Sequence, residues 1–310
     1  MINRRRVLQI GSATMLASCS GGEQLGKANM KTPKANHGFH LPEESLPHTL
    51  TFMQWPSEAK VYGRRGLGQV QEDIFRIANA IAEYEPVILL SADEQTNLFI
   101  DDLHENVTHW DIPTNDLWAR DAGPCFVKNA AGDLAVMDFN FNGWGENQVH
   151  YHDMHIARLV AKRLGLPRID SGVCGEPGGL DQDGDGTIIA HESSWINPNR
   201  NPGKKAEITK LILAATGARK LIWAPGLMGQ DITDYHIDSL ARFVEPGHIV
   251  IQLPDKITPG DPFSKAAYET LDVLKSAKDA NGRKFEFTIL RDPVNIRSRA
   301  KDMVISYINY

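Results

Sequence analysis

The chain has 310 residues, 42% apolar and 23% charged, a globular composition long enough for one large domain or two ordinary ones. Lys+Arg 33 against Asp+Glu 39 leaves a net charge of −6, which argues against a nucleic-acid binder. No run of 18 apolar residues is present, so no transmembrane helix is expected, and 3 cysteines are too few for a disulfide scaffold.

Residues 1–19 carry Arg4-Arg5-Arg6 ahead of an apolar stretch from Val7 to Ala17, the layout of an export signal. Arg4-Arg5-Arg6-Val7-Leu8-Gln9 resembles a twin-arginine signal, and Leu16-Ala17-Ser18-Cys19 a bacterial lipobox. The expectation is a periplasmic or membrane-anchored lipoprotein with Cys19 lipidated; the alternative is a signal cut elsewhere. Residues 20–48 lack periodicity and are rich in Gly, Pro, Asn and Lys, which reads as a flexible tether before a domain over 49–310.

Four helix-then-strand units follow. Val70, Ile74, Ile77, Ile81 and Tyr84 recur at helical spacing before the strand Val87–Leu90. Ile156, Leu159, Val160 and Leu164 mark a second helix, ended by Gly165. The third helix spans 204–216, is capped by Gly217 and precedes the strand Lys220–Trp223; the fourth spans 264–279, before Phe285–Leu290. Ala241–Val244, Pro246-Gly247 and Ile249–Leu253 read as a hairpin. The class is α/β with mixed strands, and the uneven helix spacing yields no sharp repeat length.

Acids, His and Trp concentrate among glycines in Asn115–Pro124, Glu176–Gly179 and Asp231–Asp238. Period-2 spacing would place Asp234, His236 and Asp238 on one face of an extended strand. A carboxylate beside a His orients the ring and raises its pKa, and two carboxylates suit a planar cation. A surface ion-pair cluster is the bland alternative. Asp181-Gln-Asp183-Gly-Asp185-Gly186 with Glu192 satisfies the EF-hand calcium pattern. Its flanks read as loop and strand rather than helix, so an acidic hairpin turn is preferred. His150, His152, Asp153 and His155 share no single face, and a helix N-terminus with Asp153 near the cap is preferred to a metal cluster.

The chain resembles the agmatine deiminase and bacterial peptidylarginine deiminase family. The matching residues are Met53-Gln54-Trp55-Pro56, Asn115-Asp116-x-Trp118-x-Arg120-Asp121-x-Gly123-Pro124, Phe141-Asn142-x-Trp144-Gly145, Glu176-x-Gly178 with Asp183-Gly184-x-Gly186-Thr187, Asn199-Arg200-Asn201-Pro202 and Thr233-Asp234-x-His236-x-Asp238. The resemblance implies a five-bladed pseudo-symmetric α/β propeller, here lacking its last blade. It implies a cysteine thiolate that attacks the guanidinium carbon, with ammonia released and a ureido product formed. Carried over, Asp121 and Asp238 clamp the guanidinium, His236 is the general acid and base, Glu176 orients it, and Trp118 packs beside the substrate. The partner is agmatine, a similar small guanidino compound or peptidyl-arginine. No cofactor, resident metal or nucleic acid is expected, and membrane contact comes only through the lipid anchor. Two departures stand out. Pro177 occupies a position that is usually Gly, and the Gly-Gly-x-x-His-Cys type segment carrying the nucleophile is not found; Ser306-Tyr307-Ile308-Asn309 resembles the strand before it. Cys125 and Cys174 fall in other motifs, and whether they pair is open. The expectation is an inactive chain, either a fragment or a guanidinium-binding remnant.

Overall fold

The computed structural model describes residues 38–92, 94, 102–293 and 306–309. The expected export signal, the lipobox and tether residues 20–37 lie outside these. Four three-stranded sheets form, each in sequential strand order.

The first sheet joins β1 (Thr51–Gln54), β2 (Val87–Ser91) and β3 (Val107–Asp111), all parallel. Central β2, Val-Ile-Leu-Leu-Ser, is buried at every position, as a strand covered on both faces requires. Helix α1 (Ala59–Ala82) crosses from β1 to β2 and buries Ile74, Ala78 and Ala82. That four-residue interval makes a single stripe, which packs on Met53, Val87 and Leu89. Gly63, at φ 67° and ψ 157°, breaks the first turn of α1 from the rest.

The other sheets share one topology, an antiparallel hairpin followed by a helix and a parallel third strand. They are β4 (Cys125–Lys128), β5 (Leu134–Asp138), α2 (Ile156–Leu164) and β6 (Arg168–Asp170); β7 (Leu180–Gln182), β8 (Thr187–His191), α3 (Lys205–Thr216) and β9 (Lys220–Ala224); and β10 (Ala241–Glu245), β11 (His248–Leu253), α4 (Pro262–Ser276) and β12 (Glu286–Arg291). The repeat lies in the connectivity. Its intervals are unequal, so spacing alone does not reveal it. Gly165 and Gly217 end α2 and α3 in the left-handed conformation, at φ 67° and 72°. Helix α4 begins earlier than periodicity indicates, because Asp261 accepts from Phe263 N at 3.0 Å and Pro262 takes the first helical position.

The α/β class holds, and among the described residues the four sheets remain separate, with no closed sheet. Residues 38–48 are not a loose tether. His40 pairs with Lys128 through backbone bonds of 2.9 Å each way, and Leu41 N donates to Thr216 O at 2.8 Å. Phe39 and Leu41 pack against the core of the second and third sheets. Composition reads this arm as flexible, but its backbone pairing holds it. Among the described residues no helix is long and apolar enough to cross a membrane.

Candidate active site

The last three sheets are each led into by a single tight turn. These turns, Ala119–Ala122, Pro177–Gly179 and Ile237–Ser239, pack on one another. Equivalent places in equivalent units therefore bring Asp121, Glu176, His236 and Asp238 together, all at most 7% exposed.

Gly178 sits at their centre. A Cβ placed on it would lie 2.5 Å from Asp121 Oδ1, 2.8 Å from Asp238 Oδ2 and 2.8 Å from His236 Nδ1. Glycine is what leaves this cradle open. Asp121 Oδ2 accepts from Trp144 Nε1 at 2.8 Å. Asp121 Oδ1 is buried with no hydrogen-bond partner among the described residues, and His236 Nδ1 is 3.7 Å away. Pro177 is accommodated: Glu176 is extended at φ −127°, and Pro177 takes the first turn position, where a fixed φ fits and an N–H is not needed.

His236 Nε2 lies 3.1 Å from Glu176 Oε2. Behind Glu176, Arg200 Nε donates to both carboxylate oxygens at 2.9 and 3.0 Å, and Arg200 Nη1 donates to Asp234 Oδ2 at 2.6 Å. Both members of the Arg200–Glu176 pair are buried, at 0% and 1% side-chain exposure. Burial pushes the His236 pKa down, but Asp121, Glu176 and Asp238 outweigh it and hold it at about 9. Burial pushes Asp238 up to about 6, with Asp121 adding to the rise and His236, Arg120 and Arg242 opposing it. At neutral pH the ring is therefore protonated and Asp238 ionised.

The expected extended strand at 234–238 does not form. Asp234 and Tyr235 are left-handed, at φ 55° and 70°, a costly backbone for such residues. Tertiary partners impose it: Asp234 O accepts from Ser193 Oγ at 2.6 Å and Asp234 Oδ1 from Gly229 N at 2.6 Å. Asp234 thus faces Arg200, while the following turn brings His236 and Asp238 to the cradle. Trp118 packs with Ala122, Phe141 and Trp144. It lines a cavity of about 270 Å³ together with Asp121, Trp144, Tyr62, Ile232 and exposed Asp73. The buried carboxylate Asp116 holds one wall, accepting from Tyr62 Oη and Gln148 Nε2.

The acidic 181–192 run is a β7–β8 hairpin, not a calcium loop. Its carboxylates face other donors: Asp181 accepts from Arg242 Nε and Phe243 N at 2.6 Å each, and Asp183 from the Asp185 and Thr187 amides at 2.8 Å each. Asp185 pairs with Arg283, and Glu192 with Lys205. Asp153 stands at the helix N-terminus, next to the N-cap His152, but its carboxylate turns to another segment. Asp153 is 1% exposed and accepts from Asn115 N at 2.7 Å and Asp116 N at 3.1 Å, bracing the loop before Trp118. Among the described residues no group of three or more His, Cys, Asp or Glu is arranged to hold a metal. Cys125 and Cys174 are free and half-buried, and burial pushes each thiol up to about 12.

Sequence reasoning missed Arg200, Trp144 and Gly178 as parts of this site. The signal available for Trp144 was its flanking glycines: Gly143, Trp144 and Gly145 are successive left-handed residues, at φ 68°, 57° and 78°, and they turn the indole toward Asp121.

Residues 40–310 match the family described as Porphyromonas-type peptidyl-arginine deiminase. The chain belongs to that family. Among its relatives, the agmatine deiminase of Medicago truncatula is 35% identical over 272 residues, 83% of this chain and 72% of that protein. The solved agmatine deiminase of Enterococcus faecalis superposes with a TM-score of 0.78 at 26% identity, covering 86% of this chain and 74% of the other. The agmatine deiminase of C. jejuni, 21% identical with a TM-score of 0.69 over 87% of this chain and 78% of the other, shares the fold. The deiminase family thus accounts for the α/β architecture, and the agmatine deiminases among the relatives are hydrolases of guanidino C–N bonds.

Proposed function

We propose that the cradle over Gly178 is the seat of a guanidino group, with Asp121 and Asp238 as its clamp, His236 as the proton carrier, Glu176 as the residue that orients it, and Trp118 as the wall beside the substrate. The observation that carries this is Asp121 Oδ1, buried and lacking a hydrogen-bond donor, directed with Asp238 Oδ2 at one small space. A guanidinium supplies planar donors to both carboxylates. In the deiminase reaction a thiolate adds to the guanidinium carbon. Ammonia leaves with a proton from His236, water then adds to the same carbon with His236 taking one of its protons, and the thiolate departs to leave a urea as the hydroxyl's remaining proton passes to the released ammonia, giving ammonium. His236, protonated at neutral pH, is in the state needed for the first transfer.

The carbon skeleton runs along the 270 Å³ cavity. Agmatine is the favoured substrate, because Asp73, an exposed carboxylate of the cavity lining, suits its second, cationic end, and a relative and a structural neighbour are agmatine deiminases. Peptidyl-arginine is the competing substrate. Cys125 and Cys174 lack the thiolate character of a nucleophile, so the 310-residue chain alone binds guanidino compounds without turning them over. The four sheets are four blades of a five-bladed propeller, a reading supported by three repeated topologies whose lead-in turns meet at one place. Residues 1–19 direct export, with a lipid on Cys19; Cys19→Ala would move the protein from membrane to soluble fraction, and a wild-type protein in the cytosol would end that reading.

The test is calorimetric titration with agmatine and with an arginyl peptide, alongside ammonia release. Agmatine binding that Asp238→Asn abolishes, with no ammonia released, is expected. Unchanged binding by Asp238→Asn removes the clamp, and turnover abolished by Cys125→Ala or Cys174→Ala would show that the nucleophile had been misplaced.

A further inference from the structure

The arm ahead of β1 is fastened to the back of the cradle by charge. Glu44 meets Arg120 with both carboxylate oxygens, the second at 3.1 Å from Nη2, and meets Arg242 Nη2 with that same second oxygen. Arg120 stands beside Asp121 in the turn Ala119–Ala122. Arg242 stands in β10, just past the turn that carries Asp238, and Asp181 holds its Nε at 2.6 Å. One carboxylate from a distant part of the chain therefore bridges two cations, one from each of the elements that present the clamp.

Resting on the guanidinium-binding reading above, we propose that Glu44 is a positioning residue for the clamp: by tying Arg120 to Arg242 it sets the separation of the two elements that present Asp121 and Asp238. Two guanidinium groups repel one another, and Arg242 opposes the charge on Arg120. The intervening carboxylate turns that repulsion into a bridge. Burial opposes ionisation of Glu44, but the two arginines outweigh it and hold its carboxyl below the ordinary value. The bridge is held in place by the arm's backbone bonds to Lys128 and Thr216 and by Gln182 Nε2 donating to Pro42 O.

The groups that act on Asp238 are His236, Asp121, Arg120 and Arg242, with Asn309 Nδ2 3.5 Å from its Oδ1. Removing the Glu44 charge leaves the two arginines with a larger net field at Asp238. Asp238 then ionises at lower pH, while the cradle becomes less attractive to a cation. These effects have opposite signs, and loosened packing alone does not produce the pair.

The experiment is agmatine titration of the full chain from pH 5 to 8, for wild type, Glu44→Gln, Glu44→Asp and Leu41→Ala. Glu44→Gln is expected to weaken binding about tenfold at pH 7.5, which is about 1.4 kcal/mol, and to move the acid limb of the affinity profile to lower pH. Glu44→Asp keeps the charge but shortens the reach, so affinity falls and the limb stays. Leu41→Ala removes arm packing, lowers the melting temperature and leaves the limb in place. Wild-type affinity and limb in Glu44→Gln overturn the proposal. Should that variant fail to fold, wild-type affinity in Glu44→Asp overturns it equally. Absence of agmatine binding by the wild type removes the parent reading and this one with it, whereas wild-type binding unaltered by Glu44 substitution removes this one alone.

Discussion

A single methyl group tests the cradle most directly. Gly178→Ala places a carbon 2.5 Å from Asp121 Oδ1 and 2.8 Å from both Asp238 Oδ2 and His236 Nδ1, all inside normal contact. Two of these three groups are held from behind. Trp144 holds the far oxygen of Asp121 at 2.8 Å, and Glu176 holds the far nitrogen of His236 at 3.1 Å. The backbone of Gly178 is not left-handed, so alanine meets no φ strain there and the effect stays with the side chains. Overpacking of this kind costs about 1–3 kcal/mol. The new methyl also occupies the space assigned to the ligand, so agmatine affinity should fall by at least about tenfold, the equivalent of about 1.4 kcal/mol. Isothermal titration with agmatine reads the affinity, and thermal unfolding without ligand reads the packing cost. A Gly178→Ala protein that binds agmatine within about twofold of wild type, about 0.4 kcal/mol, would refute the placement of the guanidinium.

Three further outcomes are expected. Agmatine affinity should decline as pH falls through about 6, because Asp238 takes up a proton there; titrations at pH 5, 6 and 7 measure it. His236 is raised from 6.5 to about 9, so its stabilising contribution is complete below pH 6.5 and lost as pH rises through about 9. Urea midpoints should drop over that interval in the wild type and not in His236→Gln. Arg200→Met should lower stability by roughly 3–5 kcal/mol, since it leaves buried Asp234 without its cation and buried Glu176 with His236 alone; urea unfolding checks this, and Arg200→Lys should not restore the fork to Glu176.

The helix-and-strand units were legible because burial on one face writes a period into the sequence. The spacing of Val70, Ile74, Ile77, Ile81 and Tyr84 found α1, although the stripe it buries is Ile74, Ala78 and Ala82, with Ile77 exposed and Tyr84 exposed beyond the helix end; Gly165 and Gly217 mark two helix ends through a backbone that favours glycine. The segments 115–124, 176–179 and 231–238 stood out as acids and a His concentrated among glycines, and the choice of Asp121, Glu176, His236 and Asp238 within them came from the resemblance to the deiminase family. Their convergence was not legible in spacing, because it depends on three turns from separate units meeting. Asp234 was misplaced since its left-handed backbone is imposed by Ser193, Gly229 and Arg200, which lie elsewhere in the chain. The arm was misread for a related reason: Gly, Pro and Asn report how easily a segment bends, not whether Lys128 and Thr216 hold its amides and carbonyls.

Apolar clusters bridge neighbouring units, the first to the second, the second to the third and the third to the fourth, while the turns that meet at the centre do so largely through acids, a histidine and arginines. Neighbouring units share their oil, and the middle of the molecule is held by charge. A bound cation would then act as a structural tie as well as a reactant. It links elements that are otherwise crowded with negative charge, and it does so only when all of them are folded. Linkage makes such a ligand worth about 2.7 kcal/mol of stability at a hundred times its dissociation constant. The gain should spread over the second, third and fourth sheets at once, because no one of them holds the ligand by itself.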